Sequence, residues 1–382
     1  MPRSDSASNP ELEASILQAP DNADAYLVYG DWLQRQGDPR GELIALQHAA
    51  MRARGDEARK LKEEVSAFIG AHRATLLGEL ADALDEAELE DDLAVEWHLG
   101  FIRTARVGQK DQYSGRDIAG LVKQLLTHPS TRFLRGLTIG MASFEPPNDY
   151  LDVIKALIEA LRERGGSKTL QHLFIGDFQY PEEVRMSGSF LGDLRPLYAL
   201  LPDLRSLRLR GSEAVLGNID VPELREFTLE TTCLSPHAAK AIAAAKWPKL
   251  ERLEVWFGAN SYIQGSVIED IQPILDGQGL PGLKSLGLCN AEFIDALCAL
   301  LPKAKVLSQL EQLDLSRGLM SDEGARILAK NAAAFAHLAH LDVTQNTLTG
   351  EGTGLIATLC PSVSTGDQRE FDQDYRYVAV GE

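Results

Sequence analysis

The chain has 382 residues, 44% of them hydrophobic and 25% charged, a composition that excludes wholesale disorder. Its 56 acidic and 38 basic residues leave a formal net charge of -18. That balance argues against nucleic acid and anionic membrane surfaces, both of which are held by clustered Lys and Arg.

The first nine residues are polar and read as disordered, and Met1 to Pro10 lack the apolar stretch of a secretory signal. A helical region is expected over 10–75. Its first helix opens at Asn9 or Pro10, carries Leu12, Ile16 and Leu17 on one face, and ends at Pro20-Asp21-Asn22. A second runs through Ala25 to Leu33, with Leu27, Trp32 and Leu33 as its buried stripe. Gly37-Asp38-Pro39 breaks it, a third covers Gly41 to Arg54, and a fourth, amphipathic, covers Glu57 to Ile69. The segment 76–93 follows as an acidic linker or helix: Asp82 to Asp92 contains seven acids and no base, which suits a solvated stretch.

From about residue 94 to 365 one pattern recurs, Leu-x-x-Leu-x-Leu, with a polar turn and usually a helical stretch after it. It stands at Leu134/Leu137/Ile139, Leu170/Leu173/Ile175, Leu204/Leu207/Leu209 and Leu224/Phe227/Leu229. Further copies are Leu250/Leu253/Val255, Leu283/Leu286/Leu288, Leu310/Leu313/Leu315 and Leu338/Leu341/Val343, and a degenerate one, Ile102/Ala105/Val107, precedes them all. Successive starts are 36, 34, 20, 26, 33, 27 and 28 residues apart, so the longer intervals imply enlarged loops. Three apolar residues per copy point inward, and stacked neighbours turn them into one continuous core. Helices over Leu151–Arg164, Pro236–Ala245, Phe293–Lys303 and Asp322–Ala334 are expected to close that core from behind. Ala94 to Phe101 is expected to cap the front. The tail 366–382 is expected to cap the back, with a final strand in the alternation Tyr375-Arg376-Tyr377-Val378-Ala379-Val380.

Two resemblances emerge from these residues. Tyr26-Leu27-Val28-Tyr29-Gly30-Asp31-Trp32-Leu33 through Gly37-Asp38-Pro39-Arg40-Gly41-Glu42 resembles the repeat-companion domain of large-genome environmental bacteria, which precedes leucine-rich or other repeats. It implies architecture and no reaction. Gly30 departs from the family's alanine, and a helical glycine costs roughly 0.5–1 kcal/mol. Asp31, Trp32, Arg40 and Glu42 could form a binding site; the structural alternative has Trp32 filling the helical core and Asp31 or Glu42 pairing with Arg40. Leu313-Asp314-Leu315-Ser316 through Asp322-Glu323-Gly324-Ala325, echoed from Leu341 to Gly352, resembles ribonuclease-inhibitor-type leucine-rich repeats. Asn346 takes the turn-bonding asparagine position, which Gly318 and Gly258 occupy elsewhere. The expected fold is therefore an α/β solenoid, a leucine-rich-repeat horseshoe with parallel strands on the concave face and helices on the convex face, preceded by a small all-α domain.

In such a register the outward positions form three rows. The middle row reads Arg106, Thr138, Phe174, Arg208, Thr228, Glu254, Gly287, Asp314, Asp342, and a flanking row includes Arg210, Glu230, Trp256 and Cys289. Arg252 lies in the other flank. The candidate protein-binding residues are Phe174, Arg208, Arg210, Glu230, Arg252, Glu254, Trp256, Asp314 and Asp342, since exposed Trp and Arg dominate interface energies. The alternative is that Arg210–Glu230 and Arg252–Glu226 pair across strands while Trp256 and Phe257 pack under a loop.

No Walker loop, HExxH or GxSxG is present. His337 and His340 flank a strand leucine, and Cys289 is expected to face outward without a nameable base. Cys233, Cys289, Cys298 and Cys360 are scattered, which suits buried thiols in a reducing compartment. The expectation is a cytoplasmic, non-enzymatic binding scaffold, an adaptor or inhibitor, with no cofactor or metal, monomeric when alone. The alternative is a regulator of a partner enzyme, such as a GTPase activator supplying Arg106, Arg210 or Arg317.

Overall fold

The computed structural model describes residues 7–84, 92–259, 265–370 and 377–381. Most of the acidic run, and Tyr375 and Arg376 of the expected final strand, lie outside the described residues. The chain divides into two compact units: Met1–Phe144 with Lys155–Leu173, and Glu145–Ile154 with Phe174–Glu382.

The first unit opens with helices Pro10–Gln18, Ala23–Arg35, Arg40–Arg52 and Gly55–Ala71. Asn9 and Asn22 cap the first two through their side-chain oxygens, and Pro10 sits where its missing N–H costs nothing. After them come strands Leu93–His98 and Phe101–Val107, paired antiparallel; Gly136–Ile139 then adds in parallel to the second. The expected front cap is thus the outer strand of a hairpin. The helix Ile118–Thr127, capped by Asp117, joins these strands and was not anticipated from the sequence.

Helices and hairpin share one core of Ile16, Tyr26, Tyr29, Leu33, Ile44, Leu99, Phe101 and Phe133. The centre is Tyr29, its ring stacked between Trp32 (5.8 Å) and Phe101 (5.9 Å). Trp32 is only partly buried and Leu27 likewise, so the buried stripe is Tyr26, Tyr29, Gly30 and Leu33. Tyrosine is able to take the central place because its hydroxyl finds partners, donating to Glu13 Oε1 (2.8 Å) and accepting from Arg132. Arg40 is buried and pairs with Asp38, not with Asp31 or Glu42, and lies 5.8 Å over the Phe101 ring.

Gly30 is more than a weak point in its helix. It faces Gly41 on the next helix, where a Cβ at position 41 would fall on the Gly30 carbonyl oxygen and within 2.7 Å of Gln34 N. The two glycines set the approach of the backbones. At Gly30 itself an added Cβ meets Ile44 Cγ2 at 3.3 Å, tight but not blocked.

In the second unit, strands Ser206–Arg210, Glu226–Glu230, Arg252–Gly258, Ser285–Ala291, Gln312–Asp314, His340–Asp342 and Val363–Ser364 form a parallel run in that order. One strand arises from each Leu-x-x-Leu-x-Leu copy. Across all nine copies no inward residue is more than 4% exposed, so each of the counted triplets is buried. Between strands lie helices Pro236–Ala244, Ile294–Leu300, Asp322–Lys330 and Gly350–Ile356, with Leu151–Glu163 spanning the division between units. Ser235, Ser321 and Thr349 cap three of them. Asn346 is fully buried; its amide donates to Leu315 O and Val343 O and accepts from Met320 N, the turn-bonding role expected of it.

The long early repeats hold a second, three-stranded parallel sheet that the sequence did not announce, formed by Asn148–Asp149, Ser189–Asp193 and Ser212–Val215. Its strands are polar and short, so no apolar alternation marks them; buried Asn148 ties it together through Ser189 Oγ and Tyr150 Oη. The last strand of the main sheet is Val363–Ser364, not the tyrosine-valine alternation at the end of the chain. Residues 377–381 are irregular.

Two outcomes follow. Gly41→Ala is expected to lower stability by about 1–3 kcal/mol through overpacking at the crossing, and Gly30→Ala by less, in urea unfolding followed by circular dichroism. His98 titrates near pH 4 because burial, then Arg103 and Arg135, disfavour its cation; His128 does so near 4 through burial and Arg40. The unfolded chain therefore takes up these protons near 6.5, before the folded one does, and stability falls as pH drops from 6.5 toward 4. Replacing both with Gln is expected to flatten that part of the curve of midpoint against pH; an unchanged slope refutes the assignment.

Candidate functional site

All nine sequence-nominated residues lie in the second unit. The strand register aligns their rows as the spacing predicts: Arg208 opposite Thr228, Thr228 opposite Glu254, Glu254 opposite Gly287, Gly287 opposite Asp314, and Asp314 opposite Asp342. What surrounds each position differs along the row.

At one side Glu230 is almost fully buried, 2% exposed, between two arginines. Arg208 Nε donates to its Oε1 at 2.7 Å and Arg210 Nε to its Oε2 at 2.5 Å. The guanidinium of Arg208 lies 4.5 Å from the Phe174 ring centre, and that of Arg210 lies 5.7 Å from Phe174 and 5.6 Å from Phe178. One carboxylate thus holds two cations flat against aromatic rings. Arg208 remains 45% exposed and Arg210 19%, so Arg208 is the more accessible of the two.

Next comes Glu254. Arg252 Nη2 donates to its Oε2 (2.8 Å) and Trp256 Nε1 to its Oε1 (2.9 Å). Burial raises its pKa, but these two donors outweigh burial and hold it below the ordinary carboxylate value. Arg252 therefore pairs along its own strand rather than across to Glu226. Trp256 is not an open anchor: only 9% of it is exposed, with the Arg317 guanidinium 5.0 Å from its ring centre. Cys289, expected to face outward, is buried, and its thiol is pushed well up by burial, with Asp314 and Glu254 adding to it. Such a thiol is not a nucleophile.

At the far side Asp314 and Asp342 make matching turns, each accepting a hydrogen bond at 2.8 Å from the N–H two residues on, Ser316 and Thr344. Asp314 is pushed up by burial, and the nearby Asp342 and Glu254 carboxylates add to the push against the Ser316 hydrogen bonds. His337 bonds Leu307 O and His340 bonds Ser362 Oγ, separate partners that keep them from acting as a pair. Among the described residues no group of three His, Cys, Asp or Glu is placed to hold a metal, and no helix is long and apolar enough to cross a membrane.

No family model matches the chain, and no curated protein does. Among solved structures, a Bacteroides fragilis protein superposes with a TM-score of 0.63 at 20% identity, over 86% of this chain and 89% of its own. Human 5T4, also called Wnt-activated inhibitory factor 1 or trophoblast glycoprotein, matches at TM-score 0.31 and 22% identity over 49% of this chain and 72% of its own. An internalin of Listeria monocytogenes matches at 0.26 and 14% over 71% and 92%. The first shares a fold with this chain and only a fold; the other two overlap too loosely to bear on it. The chain is mixed α/β, with a large, mainly parallel sheet and one strand per leucine motif.

Because its carboxyl is raised above the unfolded value, Asp314 weakens the fold once pH climbs past the ordinary carboxylate range, and the loss is complete above its folded value. Asp314→Asn keeps an acceptor for Ser316 N–H and removes the charge. It is expected to raise the thermal midpoint at pH 7, with the gain vanishing as pH falls below the range of an ordinary aspartate. A midpoint at pH 7 equal to or below that of the unaltered protein refutes this.

Proposed function

We propose that the chain is a non-enzymatic protein-binding scaffold, an adaptor or inhibitor. In this reading its sheet curves as the concave wall of a leucine-rich-repeat horseshoe, and a protein partner lies across it. The observation that carries this is the segregation of charge along one register row. Arg208, backed by Phe174, Arg210 and Glu230, stands at one side, and Asp314 beside Asp342 stands at the other.

The two sides ask for different things. Arg208 has its second face open over a preordered aromatic ring, an arrangement that receives a carboxylate at little entropic cost. Asp314 and Asp342 repel each other, and a Lys or Arg from outside would relieve them both. A partner surface with an acid and a base at matching separation satisfies both ends at once. Of the three arginines considered for activating an enzyme in trans, two are engaged within the protein: Arg210 with Glu230 and Phe178 O, and Arg317 over Trp256. That favours a docking surface over a regulator of turnover. The cytoplasm remains the proposed compartment.

The test is affinity capture from the source cell with the unaltered chain and with an Arg208→Glu, Asp342→Lys double variant, both positions being at the surface. Loss of the captured protein by about tenfold or more is expected from two reversed charges. Equal recovery by the folded variant sinks the proposal.

A further inference from the structure

Beyond the sheet face, a second feature runs along the ends of the strands. Three successive repeats place a non-glycine residue in the left-handed region at equivalent positions, near or just past the ends of their strands: Asn290 (φ 57°), Arg317 (φ 67°) and Gln345 (φ 56°). Side chains seldom adopt this conformation, and three in equivalent turns form a row. Each member of the row touches the C-terminal part of the chain. Gln345 O accepts from Arg369 Nε (2.9 Å), Arg317 O accepts from Ala379 N (2.9 Å), and Asn290 grips Val380.

The Asn290 contact is the most specific. Its amide nitrogen donates to Val380 O at 2.7 Å and its amide oxygen accepts from Val380 N at 3.0 Å, with the side chain fully buried. One side chain thus reads both main-chain hydrogen-bonding groups of a single residue, as a neighbouring strand would. Val378 and Val380 are 3% and 7% exposed, while Tyr377 between them and Arg369 is 46% exposed. Arg369 also donates to Tyr377 O and to Gly318 O, closing the other end.

We propose that Asn290, Arg317, Gly318 and Arg369 form a receptor groove for an extended Val-x-Val peptide. Tyr377–Gly381 fills it in cis, and a partner protein presenting the same pattern takes it in trans. Recognition here runs through main-chain atoms and two small apolar side chains, so nothing in it requires that the guest belong to this chain. The tether explains the cis occupancy. A segment linked to its own groove competes with any free ligand, which has to outcompete it.

The groove also connects to Arg317, whose carbonyl is held by Ala379 and whose guanidinium covers Trp256. The inference does not rest on the sheet-face reading, since none of the groove contacts uses an outward row.

The test uses the full chain with Val378→Asp and Val380→Asp, which expels the segment, and a fluorescein-labelled peptide of sequence Tyr-Val-Ala-Val-Gly-Glu. In anisotropy titrations the emptied protein is expected to bind this peptide about tenfold more tightly, or better, than the unaltered chain, whose own tail competes. Adding Asn290→Ala is expected to abolish the gain. No binding to the folded emptied variant, or binding indifferent to Asn290, overturns the proposal. A second measurement needs no variant. In hydrogen exchange of the unaltered protein, the Ala379 and Val380 amides are expected to exchange well ahead of strand amides such as Leu313. If they exchange only together with the strands, the segment is a fixed cap and the proposal falls.

Discussion

Each Leu-x-x-Leu-x-Leu copy carries three apolar side chains that its own repeat cannot cover. The inward triplet Leu283, Leu286 and Leu288 is shielded only because Leu250, Leu253 and Val255 lie on one side and Leu310, Leu313 and Leu315 on the other. Full burial of one such side chain contributes roughly 1.5–3 kcal/mol, so a strand one residue out of register forfeits several of these terms together. The hydrophobic row therefore locks the hydrogen-bonded ladder. The ladder in turn fixes which outward residues become neighbours. Arg208 meets Thr228, and Asp314 meets Asp342, because leucines on the opposite face allow no other alignment.

That constraint explains how far the sequence could be read. A period of two combined with a recurring motif specifies both the inward triplets and the outward rows, and both are found. What the period does not specify is what lies over a side chain. Trp256 and Cys289 have outward register, yet both are buried: Arg317 reaches from a later turn across the tryptophan, and the Cys289 thiol lies against Asp314 O. The polar strands Ser189–Asp193 and Ser212–Val215 carry no alternation and are held by backbone pairing and by Asn148, so they left no mark. The helix Ile118–Thr127 did leave one: Asp117 before a stripe of Ile118, Leu121, Val122 and Leu125 is a capped amphipathic turn, legible but unread. In the first unit the error was one of residue type. Trp32 looked like the core residue, and the tyrosines took that place because Glu13 and Arg132 satisfy the Tyr29 hydroxyl.

The face is not electrostatically uniform. Glu230, which is buried, and Asp314, which is partly buried, are carboxylates on the same sheet. Glu230 sits between two guanidinium groups that are themselves packed on Phe174 and Phe178, so its charge is neutralised within the protein. Asp314 sits near Asp342 and Glu254, and Arg252 is taken up by Glu254. The first arrangement rigidifies a cation for presentation. The second leaves unbalanced negative charge in a place where water screens it poorly.

The left-handed turns obey the same logic of cost and compensation. Holding a non-glycine residue there costs of order 1–3 kcal/mol and persists only where surrounding contacts over-determine it. Where the strand Arg252–Gly258 ends, glycine stands in the left-handed region (φ 75°), and its neighbour is the backbone of Thr232, which a Cβ would strike. Where the C-terminal segment crosses, the turns carry Asn290, Arg317 and Gln345, and each offers an amide or a carbonyl to it. Glycine would have served the turn at lower conformational cost but could not have supplied the Asn290 amide. The strain at that position is offset by recognition of a peptide main chain, so the turn is built for what lies upon it as much as for the repeat it closes.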